Sequence, residues 1–295
     1  MKNTIVVTGG AGFVGSNLVI FLLRNTKQNI ISLDNYSSGL KKNQIKHKRV
    51  KYIKGNTKNI SLILNSKIRK ISVIFHFGEF SRIYQSFLNM DKCIDSNTVG
   101  SHAVFNFCLK NKIKLIYSAT SASLGNKGRD KDLSPYAFTK SINLELLENL
   151  KKWFKMKYEI IYFYNVYGLN QISKGKMATV IGIFEEAYKK KKPLTVVKPG
   201  TQSRKFTHIN DTVKVCFDAW KKNRCRHYSI SSKKDYTILE VAKLFGSKVK
   251  MLSPRSGERY ASALTNMNLS NKVYKIFGRI SLKEYVEKFK KNLKN

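Results

Sequence analysis

The sequence is poor in cysteine and has no long apolar segment. Its 295 residues include four cysteines, at positions 93, 108, 216 and 225, with no Cys-x-x-Cys pair and no histidine at zinc-ligand spacing. This pattern argues against a disulfide framework or a metal site and predicts reduced, mostly buried thiols. No apolar run approaches the roughly 18 residues that cross a bilayer, and residues 1–3 lead into a strand pattern, not a cleavable signal. We therefore expect a cytoplasmic protein.

Acidic residues are also scarce. Asp and Glu total 18 against 56 Lys and Arg, which gives a formal net charge of +38. Charge of this size can bind polyphosphates, but only 11 of the basic residues are arginine and the lysines are spread along the whole chain. This distribution favours a solvated lysine-rich surface and predicts no dedicated nucleic-acid or membrane partner. The apolar fraction of 42% is sufficient for a folded core.

The first half of the chain alternates between strand and helix patterns. Repeated alternation of this kind predicts a parallel sheet covered by helices on both faces. Short apolar runs bounded by turn residues predict strands at Thr4–Val7, Ile30–Leu33, Val50–Ile53, Val73–His76, Lys114–Tyr117 and Ile160–Tyr164. Helical spacing predicts helices at Phe13–Arg24, Ile60–Ser66, Asn97–Asn111 and from Ser134–Pro135 to about Phe154.

The pattern loosens after Gly168. Helices are predicted near 178–191, 211–221, 238–245 and 282–293, and strands near 194–197 and 228–230. We therefore expect an α/β fold: a Rossmann-type, doubly wound parallel sheet over residues 1–168, and a smaller, interleaved C-terminal substrate-binding part over 169–295. Segments around 204–230 are expected to return to the first domain.

A glycine-rich segment, Thr8–Gly15, separates the first predicted strand from the first predicted helix. Its glycines permit a tight turn, close approach of backbone N–H groups to a diphosphate, and close packing of the helix on the strand. The segment therefore predicts a dinucleotide-binding loop made by Gly9, Gly12, Phe13, Val14 and Gly15.

Asp34 is the only acidic residue among residues 1–78, and it follows Gly15 by 19 positions at the end of the second predicted strand. An acid at this place accepts hydrogen bonds from the adenosine ribose of a bound dinucleotide. Because a carboxylate would repel a 2′-phosphate, the sequence predicts NAD as the cofactor and not NADP.

Tyr136 and Lys140 lie one helical turn apart, just after a Ser-Pro helix start. A nearby cation favours the phenolate form of tyrosine and brings its pKa toward the range of a general base. The preceding Ser/Thr-rich turn, residues 118–125, follows a predicted strand, where ligands bind in parallel sheets. Local backbone capping is the alternative role for each of its hydroxyls.

These motifs together resemble the NAD-dependent epimerase/dehydratase family of extended short-chain dehydrogenases/reductases, most closely its UDP-glucose 4-epimerase branch. Thr8–Gly15 resembles TGGxGFxG, residues 33–39, with Asp34 and Asn35, resemble LDNxxxG, and residues 97–100 resemble NxxGT. The likeness implies that Thr120, Tyr136 and Lys140 are catalytic, and that Lys140 and Asn35 also contact NAD.

The likeness continues into the second half. Residues 164–168 resemble FNVYGP, residues 202–211 resemble QxRDFxHVDD, and residues 255–258 resemble RxGD. It implies that Asn165 contacts the nucleotide sugar, that Arg204 and Arg255 clamp its diphosphate, and that Glu258 also belongs to the substrate site.

Several positions depart from the family pattern. Glu79 and Arg82 lie in a loop that is usually small and neutral, and Ser121 and Ala122 replace the acid pair of the dehydratase branch. The remaining departures are Asn56, Leu124, Tyr162, Lys205 and Asn210. The resemblance therefore argues against dehydration and leaves the adenine contacts and the sugar open.

The resemblance implies an NAD-dependent epimerase of a nucleotide-diphosphate sugar, with Tyr136 as the base, a transient keto-sugar and recycled NAD. Two alternatives stay open: an NAD-dependent nucleotide-sugar reductase or oxidoreductase, and a non-catalytic relative that senses nucleotides or binds nucleic acid. The family pattern also implies a homodimer through two helices of each subunit, for which Asn97–Asn111 and Ser134–Phe154 are the candidates.

Overall fold

The computed structural model describes residues 3–122, 131–254 and 273–293. The strands in this part of the chain are β1 Thr4–Thr8, β2 Asn29–Asp34, β3 Val50–Lys54, β4 Ile71–His76, β5 Lys114–Thr120, β6 Tyr158–Phe163, β7 Val166–Tyr167, β8 Leu194–Val197, β9 Ser203–Lys205, β10 Thr207–His208, β11 His227–Ser231, β12 Asp235–Thr237, β13 Val249–Leu252 and β14 Val273–Phe277. The α-helices are α1 Phe13–Asn25, α2 Ile60–Leu64, α3 Ile83–Leu88, α4 Met90–Ile94, α5 Ser101–Lys110, α6 Pro135–Phe154, α7 Val180–Lys189, α8 Ile209–Lys222, α9 Ile238–Phe245 and α10 Leu282–Asn292.

The main sheet has eight strands in the order β14-β11-β6-β5-β4-β1-β2-β3, and every neighbouring pair is parallel. The order reverses between β1 and β4, because the chain first moves outward to β3 and then returns to the other side of β1. This reversal is the place where open α/β sheets bind dinucleotides, at the carboxyl ends of the strands. The expected Rossmann-type, doubly wound fold is confirmed.

Helices cover both faces of this sheet. On one face, α1 and α8 bury Leu18 and Val213 against Ile5 and Val7 of β1. On the other, α2, α5 and α6 bury their apolar sides against Val6 and its neighbours. Alternate residues of β1 thus pack into cores on opposite faces of the sheet. For this reason a buried parallel strand appears in the sequence as a continuous apolar run.

A third core lies in the C-terminal part, where α7, α9 and α10 pack around Phe184 and Phe245. Three small sheets attach there: β8 pairs with β13 in parallel, β9 with β12 in antiparallel, and β7 with β10 in parallel. β11 and β14, although late in the sequence, belong to the main sheet. The division of the chain after residue 168 stays a prediction.

The structure differs from the predicted elements in a few places. The helix predicted over Asn97–Asn111 begins as a π-helical turn, Asp95–Gly100, and becomes the α-helix α5 only at Ser101. The helix predicted over Ile60–Ser66 ends at Leu64 and continues as a 3₁₀ segment, Asn65–Lys70. Helices α3 and α4 and the two-residue strands were not predicted, because elements this short show no full hydrophobic period.

Candidate active site

The glycine loop between β1 and α1 is packed so closely that larger residues would not fit. Gly9 has a φ of +68°, and a Cβ there would lie 2.7 Å from the Phe77 carbonyl oxygen beyond β4. A Cβ on Gly15 would lie 2.1 Å from the Gly9 carbonyl oxygen. Helix α1 begins after Gly12, which has no side chain to cap the first-turn N–H groups, and that turn holds no acid. The loop can therefore bind an anion through its backbone N–H groups and through the positive end of the α1 dipole.

Asp34 lies at the carboxyl end of β2, only 7% exposed. Its Oδ2 accepts a hydrogen bond from the Ala11 N–H at 2.9 Å, and its Oδ1 accepts one from the Tyr36 N–H at 2.7 Å. Burial raises the pKa of this carboxyl group, and the backbone donors partly oppose the rise. The carboxylate is thus held in place beside the glycine loop, as a ribose acceptor would have to be. Loop and acid together fit a dinucleotide.

One cavity of about 510 Å³ opens along the carboxyl ends of the strands. It gathers twelve of the residues that the sequence singled out. These are Gly9, Gly12, Phe13, Val14, Gly15, Asp34, Asn35, Thr120, Tyr136, Lys140, Asn165 and Arg204. Arg255 and Glu258 lie outside the described residues, as does Leu124. The shared cavity brings the predicted cofactor, catalytic and sugar-nucleotide residues together, and their individual roles stay predictions.

Helix α6 begins as the Ser-Pro pattern predicted. The Ser134 hydroxyl accepts a hydrogen bond from the Ala137 N–H at 3.1 Å, and Pro135 occupies the first helical position. The Tyr136 N–H donates to the Ser86 hydroxyl of α3 at 3.2 Å. These contacts fix the start of the helix, so that Tyr136 and Lys140 both line the cavity.

Thr120 is the last residue of β5 and is 8% exposed. Its hydroxyl oxygen accepts a hydrogen bond from the Ala122 N–H at 3.1 Å, the local backbone contact expected of a Ser/Thr turn. The same side chain lines the cavity with Tyr136. The capping and catalytic roles are therefore compatible at this position.

Lys140 forms a contact that the sequence analysis did not anticipate. Its buried ammonium pairs with the Oε2 of Glu79, which follows β4. It also donates to the Ser118 carbonyl oxygen and to the Tyr117 hydroxyl, the latter at 3.3 Å. Burial lowers the pKa of Lys140, while the Glu79 carboxylate raises it. The sequence signal for this contact was an acidic residue shortly after β4, the strand that neighbours the Tyr117 strand β5.

Arg82 joins the same loop to the C-terminal part. Its Nε and Nη2 donate to the Met177 carbonyl oxygen at 2.9 and 2.7 Å. Burial lowers the pKa of the guanidinium, and the neighbouring Tyr136 opposes that effect. Arg82 thus places a cation near the predicted base and fastens the segment before α7 to the cavity wall.

The predicted sugar-nucleotide residues, Asn165 and Arg204, both line the cavity. The Asn165 amide donates to the Lys205 carbonyl oxygen at 3.0 Å, and the mostly buried Arg204 lines the cavity from β9. Lys205, which replaces a family aspartate, pairs with Asp235 of β12 at 3.0 Å. That substitution therefore supports the β9–β12 sheet.

The described part of the chain has neither a metal-binding cluster nor a membrane-spanning helix. No group of three or more His, Cys, Asp or Glu side chains within residues 3–122, 131–254 and 273–293 has a metal-binding arrangement. In the same ranges, no helix is both long enough and apolar enough to cross a membrane. The four cysteines are free thiols, and three of them are buried.

Known proteins resemble this chain along most of its length. A Bacillus subtilis protein described as an uncharacterized UDP-glucose epimerase is 32% identical over 227 residues, which cover 71% of this chain and 70% of that protein. A dTDP-D-glucose 4,6-dehydratase of Dictyostelium discoideum is 27% identical over 266 residues, which cover 81% and 60%. The crystal structure of the Thermotoga maritima UDP-glucose 4-epimerase with UDP-glucose has a TM-score of 0.86 at 24% identity, over 98% of this chain and 99% of that one.

The Thermotoga maritima structure shows that the fold is shared, and the two sequence relatives are described as an epimerase and as a dehydratase. Residues 5–238 match the sequence profile of the NAD dependent epimerase/dehydratase family. The glycine loop and Asp34 fit the cofactor that the family uses. The chain is therefore a member of the NAD-dependent epimerase/dehydratase family, with NAD as its cofactor.

Proposed function

We propose that the protein epimerises a nucleotide-diphosphate sugar in the manner of UDP-glucose 4-epimerase. One observation carries the proposal: a single cavity is lined by the glycine loop and Asp34, by Thr120, Tyr136 and Lys140, and by Asn165 and Arg204. The residues predicted for the cofactor, for catalysis and for the sugar nucleotide thus line one cavity, which a hydride exchange between the two molecules requires.

Tyr136 is the proposed base, because it is the tyrosine among the described residues that line the cavity. When bound, NAD supplies reversible hydride acceptance at its nicotinamide ring. Tyr136 takes the proton from the hydroxyl on the carbon that gives up its hydride to the cofactor, and the loss of both leaves a keto-sugar. Thr120 donates a hydrogen bond to the same oxygen. Lys140 and Arg82 place positive charge near the phenolate.

The chain must also hold the nucleotide while the keto-sugar rotates in the cavity. Arg204 is proposed to bind the diphosphate, with Arg255 as its partner, because guanidinium groups form strong charge-assisted bonds to phosphate. Asn165 and Glu258 are proposed to contact the sugar nucleotide. Holding the nucleotide leaves the hexose free to present its other face, so return of the hydride would invert the carbon and leave the cofactor unchanged overall.

The described cavity favours epimerisation over dehydration. A dehydratase needs an acid to protonate the leaving hydroxyl, and the positions after Thr120 hold the buried residues Ser121 and Ala122. The acidic residues among the described cavity-lining side chains are Asp34 and Glu79. Asp34 lies beside the glycine loop, and Glu79 pairs with Lys140. Neither is placed to protonate a leaving group.

Turnover of a panel of nucleotide sugars by the wild type and by Tyr136→Phe tests this proposal. The wild type should interconvert two epimers, and Tyr136→Phe should lose turnover by about 10²-fold or more while it still binds NAD. Tyr274→Phe is the matched control, because Tyr274 lies on the edge strand β14 and is 56% exposed. Equal turnover by both variants would refute the assignment of the base.

The alternatives have distinct signatures in the same assay. A reductase or oxidoreductase would change the net amount of NADH during turnover, whereas an epimerase would not. A non-catalytic relative would turn over none of the sugars, and a nucleic-acid binder would retain RNA or DNA at physiological salt. The shared cavity with Thr120, Tyr136 and Lys140 argues against the non-catalytic alternative.

We also propose a homodimer through the outer surface of α4, the π-helical turn and α6. Large apolar side chains on these elements and on α3 are exposed, and a second copy of the chain would bury them. They are Phe87 (40% exposed), Leu88 (58%), Met90 (52%), Ile94 (41%), Val99 (49%), Phe138 (49%) and Ile142 (38%). Light scattering should give twice the chain mass, and Phe138→Glu should reduce it to the monomer mass.

A further inference from the structure

The loop between β4 and α3 carries a buried carboxylate to the wall of the candidate active-site cavity. Glu79 follows His76-Phe77-Gly78, and its side chain is 2% exposed. In the family pattern this loop is small and neutral, so the resemblance assigns no role to an acid here. A buried carboxylate is costly unless it is paired and hydrogen-bonded, so its contacts indicate what it does.

Those contacts account for every proton of the Lys140 ammonium. A protonated lysine has three N–H donors. One is directed to the Glu79 Oε2, one to the Ser118 carbonyl oxygen and one to the Tyr117 hydroxyl. The centroid of the Tyr117 ring also lies 4.5 Å from the Lys140 Nζ. The ammonium is therefore fixed at the end of β5, one helical turn from Tyr136.

Glu79 is itself held by three donors on its other oxygen. Its Oε1 accepts hydrogen bonds from the Ser101 hydroxyl at 2.7 Å, the Tyr117 hydroxyl at 3.0 Å and the Asn143 amide at 3.2 Å. These donors come from α5, β5 and α6. Because three separate elements hold the carboxylate, it can act as a rigid anchor for the lysine.

The anchor extends into the sheet through His76. The His76 Nε2 lies 3.0 Å from the Ser101 hydroxyl, and its Nδ1 lies 2.7 Å from the Thr8 hydroxyl. The Thr8 oxygen already accepts N–H bonds from Phe77 and Gly78, so its proton points to Nδ1. Burial lowers the pKa of His76 to about 4, so the ring is neutral and Nε2 donates to Ser101. Every hydrogen bond from Thr8 to Glu79 therefore has a defined direction.

We infer that Glu79 is a positioning residue that holds Lys140 at the end of β5 and keeps it protonated, so that its positive charge acts on Tyr136 and on the bound cofactor. This inference rests on the proposed function, in which Lys140 acts as an ammonium. Glu79 itself touches neither substrate nor cofactor in this assignment. It acts through Lys140.

The electrostatics of the site give the inference a measurable consequence. The titratable groups facing the ammonium are Glu79, His76 from β4, Tyr117 from β5 and Cys93 from α4, while Tyr136 lies on its own helix. Burial lowers the pKa of Lys140, and Glu79 is the main group that raises it. Without the carboxylate, the lysine should lose its proton at a lower pH, and activity should fall there.

The test is the pH profile of kcat/KM for Glu79→Gln. Because an opposite charge at this distance shifts a pKa by about 1–3 units, the alkaline limb should move down by about one pH unit or more. Glu159→Gln is the matched control. Glu159 is also fully buried and pairs with Lys114 at 2.7 Å, but it lies on β6 at the opposite end of the sheet from the cavity. The control should lose stability and keep the wild-type profile.

A second variant and a second readout keep the result decisive. Glu79→Asp retains the charge at a greater distance from Lys140 and should shift the limb in the same direction by less. NAD affinity, measured by calorimetry over the same pH range, should show the same ordering of the variants, whether or not a substrate is known. An unchanged alkaline limb in both Glu79 variants, or NAD affinity that does not follow it, would overturn the inference. Absence of turnover by the wild type would instead overturn the proposed function and leave the NAD titration as the test.

Discussion

Gly15→Ala should damage both the fold and the cofactor site. A Cβ at residue 15 would lie 2.1 Å from the Gly9 carbonyl oxygen and 2.8 Å from the Gly10 Cα, whereas real Cβ contacts are essentially never below 3.0 Å. Both obstacles are backbone atoms, so the glycine loop or helix α1 must move. Overpacking of this kind costs about 1–3 kcal/mol. A change of that size should lower Tm by about 2–10 °C.

The displaced loop should also bind NAD more weakly, because its N–H groups are the expected diphosphate donors. We expect affinity to fall by more than about tenfold, which corresponds to about 1.4 kcal/mol. Thermal unfolding with and without NAD measures both effects. Gly12→Ala is the control for stability, since its Cβ would lie 3.1 Å from the same Gly9 oxygen and has no other close neighbour. A Gly15→Ala protein with wild-type Tm and NAD affinity would refute the reasoning.

Three further predictions follow from single side chains. Wild-type protein should bind NAD in preference to NADP, and Asp34→Asn should narrow that preference; equal affinities of the wild type in titrations would contradict it. Ser134→Ala should cost about 1 kcal/mol of unfolding free energy and reduce turnover, whereas Ser281→Ala, which removes the equivalent cap of α10, should cost a similar amount with turnover unchanged. His76 has a pKa of about 4 in the folded protein, against 6.5 as its ordinary value, so only the unfolded chain binds its proton between those values. The free energy of unfolding should therefore fall by up to about 3 kcal/mol as the pH drops from 6.5 to 4. Urea titrations at several pH values measure this change, and a His76→Asn variant that loses as much stability per pH unit as the wild type would contradict the prediction.

Most of the cofactor half could be predicted from the sequence, because its signals are local. Strands β1 to β6 are apolar runs between turn residues, and the six come out in the expected parallel sheet. Glycine spacing and a lone acid located the loop and Asp34 without any tertiary information. The start of α6 was equally readable, since a Ser N-cap and a Pro at the first position act within one turn.

Contacts between residues that are far apart in the sequence could not be predicted. Glu79 and Lys140 are separated by 61 positions and meet only because β4 and β5 are neighbours in the sheet. In the sequence, Lys205 was only a departure from the family pattern, but in the folded chain it joins β9 to Asp235. The strands β13 and β14 were missed because most of their residues are exposed or half-buried, so no buried run marks them.

The central claim is best tested by NMR of nucleotide hexoses incubated with the NAD-loaded protein in D₂O. A carbon that is oxidised and then reduced with the same hydrogen takes up none from the solvent. The account predicts that one nucleotide hexose becomes a mixture of two epimers, with every ring C–H retained and no accumulation of NADH. A product that carries solvent deuterium or lacks a hydroxyl, or the absence of any interconversion across the panel, would contradict it.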